Sequence, residues 1–234
     1  MLGQKQWIII SGLTLLVLTT ILIILKNNKS KLKNKNLKKI LIAGDSQSVI
    51  QTEDGKNITF TYPNILIKNF PNIKIDVLAK GGQTSSWLLK NLPSQLKKEK
   101  YDRIYIYIGG NDTSNASIKL ETTLSNIQKM VDLANENGAD VFVNLGYKIE
   151  GVNGKFGNYK IMPLTKYIKK KEDWIPYIEK RKKLQDLIPK TIKNANFLPI
   201  YDLYKNTSDG IHPNQSGHKI VADKFIDSIQ NFKI

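Results

Sequence analysis

From residue 40 onwards, short apolar runs alternate with amphipathic stretches. Ile40 to Ala43, Ile73 to Leu78, Ile104 to Ile108, Val141 to Leu145 and Asn196 to Ile200 have the length and apolar content of buried parallel strands. Tyr62 to Phe70 brings Leu66 and Ile67 at helical spacing and is stopped by Pro71. Leu120 to Asn137 puts Leu120, Leu124, Ile127, Met130, Val131 and Ala134 on one face, and Gly138 closes it. Trp174 to Ile188 and Gly217 to Phe232 also read as helices, whereas Trp87 to Leu96 is expected to be short or broken because Pro93 removes a backbone donor near its middle. Strand and helix alternate about five times. That order predicts a three-layer α/β/α sandwich around a five-stranded, mostly parallel sheet, with no internal repeat.

Ahead of this pattern lies a stretch of another kind. Trp7 to Leu25 contains no charge and is rich in Ile and Leu. As a helix these residues would reach about 28 Å, enough for the hydrocarbon core of a bilayer. The run ends in Leu25-Lys26-Asn27-Asn28-Lys29 and not in the small residues of a cleavage site, so the expectation is an uncleaved membrane anchor. The predicted organisation is an anchor at 1–25, a basic juxtamembrane linker at 26–38 and a globular domain at 39–234. Lysines follow the span far more densely than they precede it, which by the positive-inside rule favours a cytoplasmic domain. They also suit contact with anionic headgroups.

Charge changes the picture less than its size suggests. The net charge is +16, but residues 1–39 hold eight lysines and no acid, leaving 28 basic against 20 acidic residues in the remainder. Only Arg103 and Arg181 carry the guanidinium fork that dominates specific phosphate and guanine contacts. No specific nucleic-acid binding is therefore expected. With no cysteine in the chain, disulfides, thiolate metal sites and a cysteine nucleophile are excluded. Neither metal nor cofactor is called for, and the sequence is silent on oligomeric state.

In a parallel sheet every carboxyl end shares one edge, so distant residues become neighbours there. Gly44-Asp45-Ser46 follows the first strand, Gly81-Gly82 the second, Gly109-Gly110-Asn111-Asp112 the third, and Asp209-Gly210-Ile211-His212 comes after the fifth. These supply what acyl transfer needs. Ser46 offers a nucleophile, His212 a base with a pKa near neutrality, and Asp209 a group to orient it. The N–H groups of Ser46 and Gly82 and the amide of Asn111 are donors for an oxyanion. Each piece taken alone has a plainer reading: the glycine pairs as tight turns, Asn111-Asp112 as an Asx turn, His212 as a buried histidine. Their coincidence on one edge favours a site. Asp45, Asp112 and His218 are read as structural. The long stretch from Gly146 to Lys171, with four glycines and the aromatics Tyr147, Phe156, Tyr159 and Tyr167, is expected to wall an acyl or sugar pocket.

The blocks GDSQS at 44–48, GGQTS at 81–85, GGND at 109–112 and DGIH at 209–212 resemble those of the SGNH superfamily of GDSL-type esterases and lipases. The resemblance spans about residues 38 to 232. It departs in having Gln47 where leucine is usual and Gly81 where serine or another small residue is frequent. It implies a flavodoxin-like fold and a working set of Ser46, Gly82, Asn111, Asp209 and His212. It also implies hydrolysis of an acyl or acetyl ester on a carbohydrate or lipid. Acyl transfer to another alcohol and a non-catalytic binding module are the alternatives, the second disfavoured because Ser46, Asp209 and His212 are all present.

Overall fold

The computed structural model describes residues 37–50, 60–148, 174–199, 201–203, 206–207 and 211–230. The apolar stretch at 7–25, the basic linker up to residue 36, most of the glycine-rich stretch and Asp209 lie outside the described residues. Among the described residues no helix is long and apolar enough to cross a membrane.

Among the described residues there are seven strands and six helices. They are β1 (Lys39–Gly44), α1 (Tyr62–Asn69), β2 (Lys74–Ala79), α2 (Ser85–Lys98), β3 (Arg103–Tyr107), α3 (Gly110–Ser114), α4 (Leu120–Glu136) and β4 (Asp140–Asn144). The two-residue β5 (Tyr147–Lys148), α5 (Trp174–Thr191), β6 (Asn196–Leu198), the two-residue β7 (Tyr201–Asp202) and α6 (Gln215–Gln230) complete the series. The five main strands form one sheet in the order β2-β1-β3-β4-β6, and every pair is parallel. β5 and β7 pair separately, also parallel.

Alternation along the strands divides the core into two layers. Leu41 and Ala43 of β1, Ile104 and Ile106 of β3, and Val141 and Val143 of β4 meet Leu88 and Leu92 of α2, the apolar stripe of α4, and Leu184 and Ile188 of α5. On the other face Tyr105 of β3 packs against Phe142 of β4 and Phe225 of α6, and Phe225 in turn against Tyr62 of α1, with ring centres 4.7–5.3 Å apart.

Two helices differ from the sequence expectation. α2 runs unbroken through Pro93, and α5 continues past Ile188 through Pro189 to Thr191. A proline costs a helix one hydrogen bond and a steric clash, roughly 3 kcal/mol. Burying Leu88 and Leu92 completely before Pro93 offsets that figure, at about 1.5–3 kcal/mol for each leucine. In α5 the last turn is held by the bond from Ile192 N–H to the Ile188 carbonyl and by burial of both isoleucines.

The strand order has a functional consequence. β1 is flanked by β2 and β3, so the connections leaving β1 and β3 diverge to opposite faces of the sheet. A crevice opens between them at the carboxyl edge, where open α/β sheets bind ligands.

Candidate active site

Register sets the first distances. Gly44 is the cross-strand partner of Tyr107, so the chain leaving β1 toward Ser46 and the chain leaving β3 toward Asn111 emerge side by side. Asp45 caps a single 3₁₀ turn, Ser46–Ser48, by accepting the Gln47 N–H at 3.0 Å. Inside the fold, Ser48 and Tyr62 share a hydroxyl hydrogen bond of 2.7 Å that anchors the turn to α1.

His212 reaches the same crevice from the far end of the chain. An antiparallel bridge between Thr207 and Pro213 closes the loop that carries it. The buried Gln47 side-chain amide donates to the Ile211 carbonyl at 3.2 Å, fastening that loop to the turn after β1. The result is a hydrogen bond of 2.9 Å between Ser46 Oγ and His212 Nε2. Asp209, expected to orient the other ring nitrogen, lies outside the described residues.

Of the donors expected for an oxyanion, Asn111 shares a cavity with Ser46 and His212, and Gly82 adjoins a residue that comes close to Ser46. Gly82 has φ of +69°, a conformation natural to glycine and strained for other residues, and a Cβ on neighbouring Gly81 would stand 3.9 Å from Ser46 Cβ. Asn111 donates one amide hydrogen to the Gln83 carbonyl at 2.9 Å. An amide nitrogen carries two hydrogens, so this bond fixes the plane of the group and leaves one hydrogen for a substrate oxygen.

Ser46, His212 and Asn111 line one cavity of about 30 Å³, together with Asp45, Gln47, Tyr107, Gly110, Tyr177, Arg181 and Ile211. That is room for a water or two, or for a short acyl group. A larger groove of about 770 Å³, lined in part by Asn115, Ile118, Glu121 and Lys180, shares Tyr177 with it. Lys180 shapes the groove wall by donating to three backbone carbonyls, those of Asp112, Asn115 and Ile118, at 2.6–3.2 Å.

Of the residues read as structural, Asp112 holds loops together as expected, accepting from Ser85 N–H and from the hydroxyls of Ser85 and Thr123. His218 accepts the Tyr62 N–H at Nδ1, and burial, with the charge of His212 nearby, lowers its pKa to about 4. Asp45 does more than cap a turn. It is buried in the cavity wall, and desolvation pushes its carboxyl up to about 6 in spite of the Gln47 N–H, Arg181 and His212.

Sequence reasoning did not single out Arg181, Tyr107 or Tyr177 for the site. The two tyrosines had no local signal. Arg181 had one: arginine is rare in this chain, two among 36 basic residues.

Strand order and crevice together define an α/β fold of the flavodoxin-like kind, with a hydroxyl, an imidazole and a side-chain amide at its ligand-binding edge. A profile of the GDSL-like Lipase/Acylhydrolase family matches residues 42–220. The chain belongs to that family and is thus a carboxylic ester hydrolase. No curated protein matches it in sequence. Among solved structures it is similar to a GDSL-like lipase from Bacteroides thetaiotaomicron, with 19% identity and a TM-score of 0.61 over 88% of this chain and 96% of that one. It is also similar to a catalytic mutant of an acetylxylan esterase from Geobacillus stearothermophilus, with 17% identity and a TM-score of 0.59 over 84% and 95%. A psychrotrophic esterase from Pseudoalteromonas, inhibited by monoethylphosphonate, gives 17% identity and a TM-score of 0.55 over 82% and 97%. At these identities the likeness is one of fold.

Proposed function

We propose that this chain is a membrane-anchored serine esterase acting on short acyl esters of a larger alcohol, such as a sugar or a lipid. The observation that carries the reading is the 2.9 Å bond between Ser46 Oγ and His212 Nε2 in one cavity with Asn111. Ser46 Oγ attacks the ester carbonyl as its proton passes to His212 Nε2. The carbonyl π electrons move to oxygen, which takes hydrogen bonds from the N–H groups of Ser46 and Gly82 and the amide of Asn111. Collapse breaks the bond to the alcohol, which leaves with the proton from His212. Water then attacks the acyl-serine with His212 again as base, releasing the acid and restoring the hydroxyl. Asp209 is assigned the second ring nitrogen of His212.

The small cavity and the larger groove that share Tyr177 support a short acyl group and a bulky alcohol. The acetylxylan esterase of similar fold acts on a substrate of that description. Residues 1–25 serve as anchor, 26–38 as a linker against anionic lipid, and 39–234 as the catalytic domain on the cytoplasmic side. The test is Ser46→Ala against a panel of acetyl, short-chain and long-chain esters, with fluorophosphonate labelling of the wild type. Labelling at Ser46 and loss of turnover in the variant are expected; undiminished turnover in Ser46→Ala would reject the mechanism. Membrane fractionation of the chain with and without residues 1–37 tests the anchor.

A further inference from the structure

The chain's two arginines are equally buried, each about 7% exposed, yet they are used differently. Arg103 sends Nε and Nη2 to Asp140 Oδ2 at 3.0 and 2.7 Å and Nη1 to the Ser228 carbonyl at 2.7 Å. Lys180, beside Arg181 on α5, spends its ammonium on three carbonyls. Arg181, in contrast, makes one hydrogen bond among the described residues, from Nη1 to the Tyr177 hydroxyl at 3.2 Å. Its guanidinium carbon lies 5.1 Å over the Tyr147 ring. A guanidinium has five N–H donors, stays charged at any accessible pH, and fits a carboxylate in a two-pronged fashion.

Its position is as telling as its unspent donors. Arg181 lines the cavity that holds Ser46 and His212. A Cβ on Gly110 would stand 3.1 Å from Nη1 and 3.6 Å from Asp45 Oδ2. The bare glycine beside Asn111 therefore keeps the guanidinium open toward the cavity. Asp45 shares the cavity wall with Arg181, but the two form no ion pair within 4.0 Å, and Asp45 Oδ1 is already engaged by the Gln47 N–H.

We infer that Arg181 is a specificity residue that receives a carboxylate at the far end of the acyl group, so that half-esters of short dicarboxylic acids are the preferred substrates of this site. The inference rests on the esterase reading and narrows it. A malonyl or succinyl half-ester puts its carboxylate two or three bonds beyond the scissile carbonyl, within a cavity too small for a long alkyl chain. A neutral acetyl ester would leave the donors of Arg181 facing empty space or water. The chemistry at Ser46 is unchanged: the same bond forms and breaks, and the carboxylate is a spectator held by charge.

The experiment compares para-nitrophenyl hemisuccinate with its methyl-capped neutral analogue and with para-nitrophenyl acetate, using the full-length chain in detergent. The wild type is expected to favour the hemisuccinate over the capped ester by about tenfold or more in kcat/KM, as one charge-assisted contact provides. Arg181→Gln should collapse that ratio to near unity whatever it does to the absolute rates, and Arg181→Lys should restore part of it. Equal rates on the two succinyl esters in the wild type, or an unchanged ratio in Arg181→Gln, would overturn the inference. If Arg181→Gln does not fold, calorimetric titration of the wild type with succinate and with its neutral diamide decides: binding of the dianion alone supports the inference, and equal or absent binding of both refutes it. Ser46-dependent hydrolysis of acetate without a charge preference removes the inference and spares the esterase. Hydrolysis independent of Ser46 removes the esterase mechanism, and the titration still judges Arg181.

Discussion

Asp112 ties Ser85 to α3, just past β3: one carboxylate oxygen accepts the Ser85 N–H at 2.9 Å, and the other accepts the hydroxyls of Ser85 and Thr123. The residue next to Asn111 is thereby fastened to the start of α2, three residues beyond Gly82. Both sides of the proposed oxyanion cradle share this brace. Asp112→Ala would leave the buried Ser85 N–H and hydroxyl without an acceptor and the Thr123 hydroxyl with only its longer bond to the Lys119 carbonyl at 3.4 Å, at a cost of about 3 kcal/mol or more. A fall in Tm of about 10 °C is the expected outcome. Thermal unfolding followed by circular dichroism checks it, and a change of a degree or so would show the brace to be dispensable.

Asn111 is held by Gln83 in the free protein, so its amide is in place before substrate arrives. Asn111→Ala should reduce kcat by about a hundredfold while changing KM little, because an oxyanion donor acts on charge that develops only in the transition state. Steady-state kinetics on a short activated ester measures this. A raised KM with kcat intact would assign Asn111 to ground-state binding instead.

Two buried groups give opposing pH dependences. Asp45, raised to about 6 mainly by desolvation, favours the protonated fold: its contribution is full below about pH 4 and is lost as pH rises through 6. His218, lowered to about 4 by burial and by His212, favours the neutral fold: its contribution is full above about pH 6.5 and is lost as pH falls toward 4. The Asp45 effect is of order 3 kcal/mol, and that of the partly exposed His218 is smaller. Between pH 4 and 6 the two oppose each other in the wild type. Asp45→Asn should therefore become more stable as pH rises through this window, and His218→Gln less stable. Parallel Tm profiles for the three proteins would contradict both assignments.

Arg103 offers a test remote from the chemistry, at the amino end of β3. Lysine cannot reproduce the three bonds to Asp140 and Ser228 or the stacking of the guanidinium 4.4 Å over Phe142. Arg103→Lys should lose about 2–4 kcal/mol of stability by denaturant titration. Its kcat below the melting range should match the wild type, since the opposite edge of the sheet carries the site.

The parallel sheet, its five main strands and the meeting of Ser46, Asn111 and His212 at one edge were legible in the sequence because each depends on local signals. Apolar runs stop at glycine, and a parallel sheet collects their ends without further information. What was not legible depends on tertiary context. Pro93 reads as a breaker until Leu88 and Leu92 are seen fully buried beneath the helix. Arg181 sits among lysines on α5, and nothing nearby in the sequence says that its side chain enters the cavity when Lys180 turns to the α3–α4 connection. Asp45 reads as a turn residue, which it is, and its second position in the cavity wall follows only from the approach of α5.

The serine lies in the turn after the first strand of the sheet and its imidazole partner just before the last helix, 166 residues later. Emerging from a ribosome, the chain presents the hydroxyl long before the group proposed to activate it, and β1, β2 and β3 can pair before His212 exists. Reactivity toward esters is thus withheld until nearly the whole domain has been made and α6 has docked. On the proposed mechanism, the separation along the chain would keep an unfinished polypeptide from consuming substrate.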